Sequence, residues 1–369
     1  MSDPAPARIE LLVAELRSRD LDRLLVGTGA NLRYLTGFTG SNGLAVIDAR
    51  ARGEHRFFTD FRYATQSSEQ VSAVFAREIA PVDLLEAAAR ALGPGGGTGE
   101  RRLGFDDAAT SVKQHARLAE LVGEGWELVP CGGAVEALRE IKSEQEIRAI
   151  RSASELADAA LRTTLEAGLA GRTERAVAIE LELALRSLGA LAPSFPSIVA
   201  AGEHGALPHA EPRDAPIPRD ALVTIDWGAY LDGYCSDCTR TYATGRLDEQ
   251  AQATYALVLR AQEAALAALR PGVSGRALDA VAREIIEGAG HAEHFGHGVG
   301  HGVGLEIHEG PRLSRTAGEE PLRAGNVVTV EPGVYVPGRL GVRIEDLVVL
   351  RDGGCELLTA LPKQLTVVE

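Results

Sequence analysis

Over the first hundred-odd residues, short apolar runs alternate with helical stretches. RLLVG (23–27), GLAVID (43–48) and HRFFTD (55–60) read as strands, the pattern expected of an α/β layer. The stretch GPGGGTG at 93–99 is too glycine-rich to be anything but a surface turn, and Cys131-Gly132-Gly133 reads as a link out of this unit. A domain edge near 135–143 follows, dividing the chain into 1–135 and 136–369.

Beyond that edge, Ser143-Glu-Gln-Glu146 fits a capping box, so a long helix is predicted to start there. Its apolar positions Ile147, Ile150, Ala153, Ala157, Leu161 and Leu165 recur at helical steps, and Val177, Leu181, Ala184 and Leu188 repeat that spacing in a second helix. Strand-like segments come next, around 195–201, 222–230 and 234–242. The arrangement then recurs: helical periodicity near 249–269, a helical face of Leu278, Val281, Ala282, Ile285 and Ile286, then strands near 298–308, 326–331 and 341–350. Two helices followed by several strands, twice over, predict a duplicated α+β half of about a hundred residues.

Composition excludes more than it assigns. With 369 residues, 45% apolar and 24% charged, the chain is an ordinary globular protein and not a disordered one. A net charge of −14, with no Lys/Arg block, argues against a nucleic-acid partner. No apolar run approaches the ~18 residues of a membrane helix, and the start MSDPAPARIE is unlike a signal peptide. No membrane association and a cytoplasmic location are expected. The four cysteines, at 131, 235, 238 and 355, are too few and scattered for a disulfide framework and are expected reduced.

Candidate chemistry begins at LVTIDWGAYLDGYCSDCTRTY. Asp232-Gly233 is a strong hairpin signal, and a hairpin about it places 231 opposite 234 and 226 opposite 239. Asp237 then shares a face with Asp226 at the diagonal spacing of roughly 7–8 Å. Two acids in an apolar hairpin call for a neutralising cation; an aspartate bonded to backbone amides at a strand end is the alternative. Cys235 and Cys238 have C-x-x-C spacing, but there is no second pair and no helix start, so both read as packing residues.

Residues 296–308 read GHGVGHGVGLEIH. Five glycines there would cost a helix about 1 kcal/mol each, so His297 and His301 are not a helical metal pair, and no dinucleotide fingerprint fits. An extended strand is predicted, bare on its glycine face, with His297, Val299, His301 and Val303 on the other; such bareness lets a ligand or another backbone approach closely. Glu331 ends NVVTVE before Pro332-Gly333. Glu345, in GVRIEDLVVL, shares a strand face with Arg343 and, as the alternative to a functional role, pairs with it. Asp226, Asp237, Glu331 and Glu345 with one neutral imidazole sum to −4, which favours two divalent cations over one. Oxygen-rich ligation with one imidazole suits manganese, with cobalt, iron or zinc as alternatives. Two ions bridged by a hydroxide perform metal-assisted hydrolysis.

Six strings together, Asp226-Trp-Gly-Ala, Ser236-Asp237-Cys-Thr-Arg-Thr, His297-Gly-Val-Gly-His301, Ile307-His308-Glu, Val330-Glu331-Pro-Gly and Arg343-Ile-Glu345-Asp, resemble the pita-bread metallopeptidases, in particular Xaa-Pro aminopeptidases and prolidases. NLRYLTGFTGSNG (31–43) and FFTDFRY (57–63) resemble the creatinase-type amino-terminal domain of those enzymes. The resemblance implies a smaller α/β domain at 1–135 and a pita-bread catalytic domain at 136–369. It also implies hydrolysis of Xaa-Pro bonds in peptides or dipeptides, and a homodimer. By that resemblance Asp226 would chelate one metal, Asp237 and Glu345 would bridge both, and His301 and Glu331 would bind the other, with Glu331 also the general base. His209 would contact substrate, His297 would hold the carbonyl or the residue after the cut, His308 would stabilise the oxyanion, and Arg343 would orient Glu345. His204 stands where many such relatives have asparagine and reads as an exposed loop residue; His291 and His294 receive no role. Methionine aminopeptidases lack the amino-terminal domain. A catalytically silent binding relative and a creatinase-like amidinohydrolase, expected to lack the ligand set, are the competing readings.

Overall fold

The apolar runs of the amino-terminal third become strands where the pattern places them, at Arg23–Gly27, Gly43–Asp48 and Arg56–Thr59. The computed structural model describes residues 3–27, 29–50, 54–81, 83–93 and 101–369. The glycine-rich turn expected at 93–99 therefore lies, beyond Gly93, outside the described residues. Contacts divide the chain into two units, Met1–Arg139 and Glu140–Glu369.

In the first unit a six-stranded mixed sheet runs in the order Ala76–Ile79, Arg56–Thr59, Gly43–Asp48, Arg23–Gly27, Arg101–Phe105, Trp126–Pro130. Gly43–Asp48 pairs antiparallel with both its neighbours and the other three pairings are parallel; the chain crosses through the helices Ala64–Gln70 and Val112–Val122 within two parallel pairs and through Leu84–Leu92 from Ala76–Ile79 to Arg101–Phe105. Leu25, Val46, Phe58, Leu103 and Trp126 of the sheet pack with Ala88, Leu92 and Leu118 of those helices.

The second unit starts on the predicted helix. Ser143 Oγ accepts from the amide of Glu146, and Glu146 Oε2 accepts from the Ser143 amide at 2.9 Å, a reciprocal cap that opens the helix Glu144–Leu165. Ile147, Ile150, Ala153, Ala157 and Leu161 are buried along it. The second helix, Glu174–Ser187, buries Val177, Ala178, Leu181 and Leu185; Leu188, assigned to its apolar face from spacing, caps the helix end and is exposed. These two helices cover the strands Ile198–Ala201, Leu222–Trp227 and Cys238–Ala243, sharing one core with Val223, Ile225 and Trp227. Trp227 Nε1 donates to Ala157 O at 2.9 Å, tying sheet to helix.

The pattern then repeats. The helices Glu249–Ala268 and Gly275–Gly288 share a second core with Val328, Val330 and Val348 of the following strands, so each half has its own two helices, antiparallel sheet and core. The unit is α+β, built twice. No helix among the described residues is long and apolar enough to cross a membrane.

Two predicted strands differ. Of 298–308 only Gly300–Gly302 is strand; a Cβ on Gly300 would collide with the Thr329 carbonyl and one on Gly302 with the Gly310 carbonyl. The bare positions do serve close backbone approach, but past Gly302 the chain bends, and Val299 and Val303 enter different apolar clusters. The run 341–350 is broken as well, into Leu340–Arg343 and Asp346–Arg351, with Glu345 at the break. There the Glu345 amide leaves its own sheet to donate to Thr239 O at 3.1 Å.

Candidate metal centre

The hairpin about Asp232-Gly233 folds in the register its sequence dictates. Both residues have positive φ, 51° and 90°, as a type I′ turn requires; Leu231 pairs with Tyr234 and Asp226 with Thr239. Asp237 precedes the return strand, on the same side as Asp226. Glu345 arrives from the second half at the strand break, and ligand oxygens of Asp226, Asp237 and Glu345 all lie within 4.8 Å of one another. The ladder is interrupted between the two acids, Gly228 and Ser236 lying between two small sheets.

A second donor group meets the first at Asp237. His301 Nε2 lies 3.5 Å from Asp237 Oδ2 and 3.3 Å from Glu331 Oε1. His301 Nδ1 is 3.1 Å from Gly302 O; donating there, it leaves the Nε2 lone pair facing the carboxylates, as a ligating histidine requires. Burial lowers the His301 pKa, which favours the neutral ring. Glu331 is held by the Thr329 hydroxyl, which donates to its Oε1 at 3.1 Å and accepts from the His301 amide at 3.1 Å.

The acids themselves are poorly satisfied. Asp226 Oδ1 and Glu345 Oε1 are buried with no hydrogen-bond partner. Burial first, then the charge of the neighbouring acids, drives the pKa of Asp237 and Glu345 well above the carboxylate range; burial also raises that of Glu331. Orphaned carboxylate oxygens around one buried spot, with an imidazole lone pair aimed at the same place, fit divalent cations. Cys235 and Cys238 stay outside this chemistry: both are free thiols, and burial pushes Cys235 up to about 12.

Arg343 does not pair with Glu345. Arg343 Nη2 instead donates to Asp226 Oδ2 at 2.7 Å. It reaches Glu345 only through Thr239, whose hydroxyl accepts from Arg343 Nε at 3.1 Å and donates to Glu345 Oε2 at 2.7 Å. Four carboxylates and this guanidinium leave the basin at −3, not the −4 of the acids alone.

The sequence reading missed Tyr335. Its hydroxyl accepts from Arg343 Nη1 at 2.8 Å and lies 2.9 Å from His297 Nε2. His297 Nδ1 is 2.8 Å from Gly298 O, so both ring nitrogens of His297 have protein partners. The signal was present: a turn at Pro337-Gly338 pairs Tyr335 with Gly341 and Gly333 with Arg343, which puts Tyr335 and Arg343 on one face.

His308 comes back over the site, its ring 4.3 Å from that of His301, and among the described residues finds no hydrogen-bond partner. His209 is exposed in a turn whose Pro208 carbonyl accepts from Arg343 Nη1 at 3.2 Å. His204 is not an exposed loop residue: it is buried, with Nδ1 2.9 Å from the buried carboxylate of Glu174.

Sequence comparison matches residues 148–352 to the profile of metallopeptidase family M24, and residues 8–141 to the creatinase/prolidase N-terminal domain. An Xaa-Pro dipeptidase of Pyrococcus furiosus is 33% identical over 359 residues, 97% of this chain and 99% of the relative. Among solved structures, an Xaa-Pro dipeptidase from Bacillus anthracis superposes with a TM-score of 0.92 at 36% identity, covering 98% of this chain and 99% of that one. An X-Pro aminopeptidase from Thermotoga maritima gives a TM-score of 0.87 at 33% identity, covering 98% and 100%.

Proposed function

The chain belongs to metallopeptidase family M24 and is a metal-dependent Xaa-Pro peptidase, and we propose that Asp226, Asp237, His301, Glu331 and Glu345 hold two divalent ions, Mn2+ in preference to Co2+ or Zn2+. The observation that carries the pair of ions is the meeting of two donor groups at Asp237: one with Asp226 and Glu345, the other with His301 and Glu331. An oxygen-rich set with one imidazole suits manganese. The proposal assigns the chemistry to residues 136–369 and leaves 1–135 as the creatinase-like domain. A cytoplasmic homodimer acting on proline-containing peptides or dipeptides completes it, supported by free thiols and the family likeness; light scattering tests the dimer.

Bound there, the ions would polarise the scissile carbonyl and acidify an attacking water. Glu331 takes the proton of that water and delivers it to the proline nitrogen as the C–N bond breaks, its orientation fixed by the Thr329 hydroxyl. His308, whose ring is uncommitted, donates to the oxygen on which negative charge develops. His209, exposed beside the site, contacts substrate. His297 holds Tyr335 against Arg343, and Arg343 in turn holds Asp226. A proline in second position brings no amide hydrogen, so this set of groups demands none from its substrate.

The test is hydrolysis of Gly-Pro and of a longer Xaa-Pro peptide with and without Mn2+. Metal-dependent release of the first residue is expected. Full activity in a chelated, metal-free preparation contradicts the proposal, and metal-independent urea release from creatine supports the amidinohydrolase instead.

A further inference from the structure

Lys142 belongs to none of the groups above, and it is buried. Its Nζ lies 3.1 Å from Glu309 Oε2, and the two side chains are 1% and 5% exposed. A lysine confined in this way has lost both hydration and rotamer freedom, and only its partner carboxylate offsets that cost. Its backbone is fixed: the Lys142 amide donates to Gly325 O at 2.9 Å, Ile141 bridges Asn326, and Asn326 Nδ2 donates to Glu140 O at 3.0 Å.

Glu309 is the residue after His308. Its other oxygen, Oε1, accepts from the Glu306 amide at 3.0 Å, while the Gly304 amide donates to Glu306 O at 3.0 Å. The carboxylate thus closes the turn from Gly304 to Glu309, the bend that replaced the predicted strand. The near end of that turn is tied down by the Cys235 amide, which donates to Gly304 O at 2.8 Å. Its far end is tied to Lys142.

We propose that the Lys142–Glu309 ion pair is the positioning device for His308, setting the turn so that the imidazole stands where charge develops on the substrate oxygen. This rests on the reading of His308 as the oxyanion donor. Since that contact forms only in the transition state, misplacing His308 lowers kcat and leaves KM alone.

The experiment uses the Mn2+-loaded enzyme and the double variant K142M/E309Q, which removes both charges and strands neither. Expected are a kcat lower by about 10- to 100-fold, KM and metal content as in the parent, and no further loss when the pair is added to His308→Ala. Glu309→Asp, one methylene shorter with its charge intact, should give the same kcat-selective loss. A crystal structure of the double variant should show the His308 ring moved from its approach to His301. A double variant with parental kcat, or losses that multiply with His308→Ala, overturns the proposal while leaving the oxyanion reading intact. His308→Ala at full activity overturns both.

Discussion

Glu345 and Asp346 are neighbours in the chain and equally buried, at 1% exposure each, yet they face opposite electrostatic surroundings. Asp346 Oδ1 accepts from Arg240 Nη2 at 2.8 Å and the Thr359 hydroxyl at 3.0 Å; Oδ2 accepts from Lys363 Nζ at 2.8 Å and Gln262 Nε2 at 2.9 Å. Burial raises its pKa, but Arg240 and Lys363 outweigh burial and hold it below the usual range. Glu345 has Thr239 on one oxygen and nothing on the other, and its pKa is driven well up. Where the fold needs a buried charge it supplies the counter-charge from its own chain. Around Glu345 the chain leaves one carboxylate oxygen without a partner, which fits the proposed cation.

Asp237→Ala strikes the unsatisfied side. It removes the acid common to both donor groups, so turnover of Gly-Pro should vanish while circular dichroism stays native. Arg240→Met strikes the satisfied side. It strips Asp346 of one of two cations, and breaking such a buried pair costs about 3 kcal/mol, read as a lower denaturation midpoint at unchanged denaturant slope. Asp237→Asn reverses that sign: without metal it relieves repulsion among the acids and should stabilise the apo protein by about 0.5–2 kcal/mol. An apo Asp237→Asn protein less stable than the parent would show that the acids are not in conflict.

The smallest effect is the pH dependence of the metal-free protein. Asp237, Glu345 and Glu331 have folded pKa values raised above their unfolded ones, so the folded state keeps protons that the unfolded state releases. Their contribution is fully present below the unfolded values, about 4, and is lost as pH rises through the raised ones. Buried histidines with lowered pKa values act in the opposite sense between pH 5 and 7, so the acids are read as a difference: the stability gained by chelated Asp237→Asn over the chelated parent should grow from about pH 4 upward, and Mn2+ should remove that trend. A difference that stays flat or shrinks over that range would contradict the conflict among the acids.

How much of this was legible in the sequence follows from where local rules hold. A two-residue turn fixes register, so Asp232-Gly233 fixed the pairing of Asp226 with Thr239 and the side of Asp237. The capping box at Ser143 and the spacing of Ile147 to Leu161 gave the first helix for the same local reason. Alternation fails where a strand breaks, so the Glu345 partner could not be read: Ile344 and Glu345 leave the ladder and Arg343 turns to Asp226. Glycine left the path of 303–308 open, since a residue without Cβ permits a strand or a bend equally, and the choice was made by contacts far along the chain. Tyr335 looks like a core aromatic until the Pro337-Gly338 turn is used to align it with Arg343.

The claim beneath all of this is that five side chains from two halves of one unit form a cage for two divalent cations. Elemental analysis of the purified protein after equilibration with Mn2+ and removal of free metal measures it most directly. Close to two Mn2+ per chain, falling to near zero in Asp237→Ala, is the predicted result; a parent protein that retains no metal, or a variant that retains as much as the parent, contradicts it.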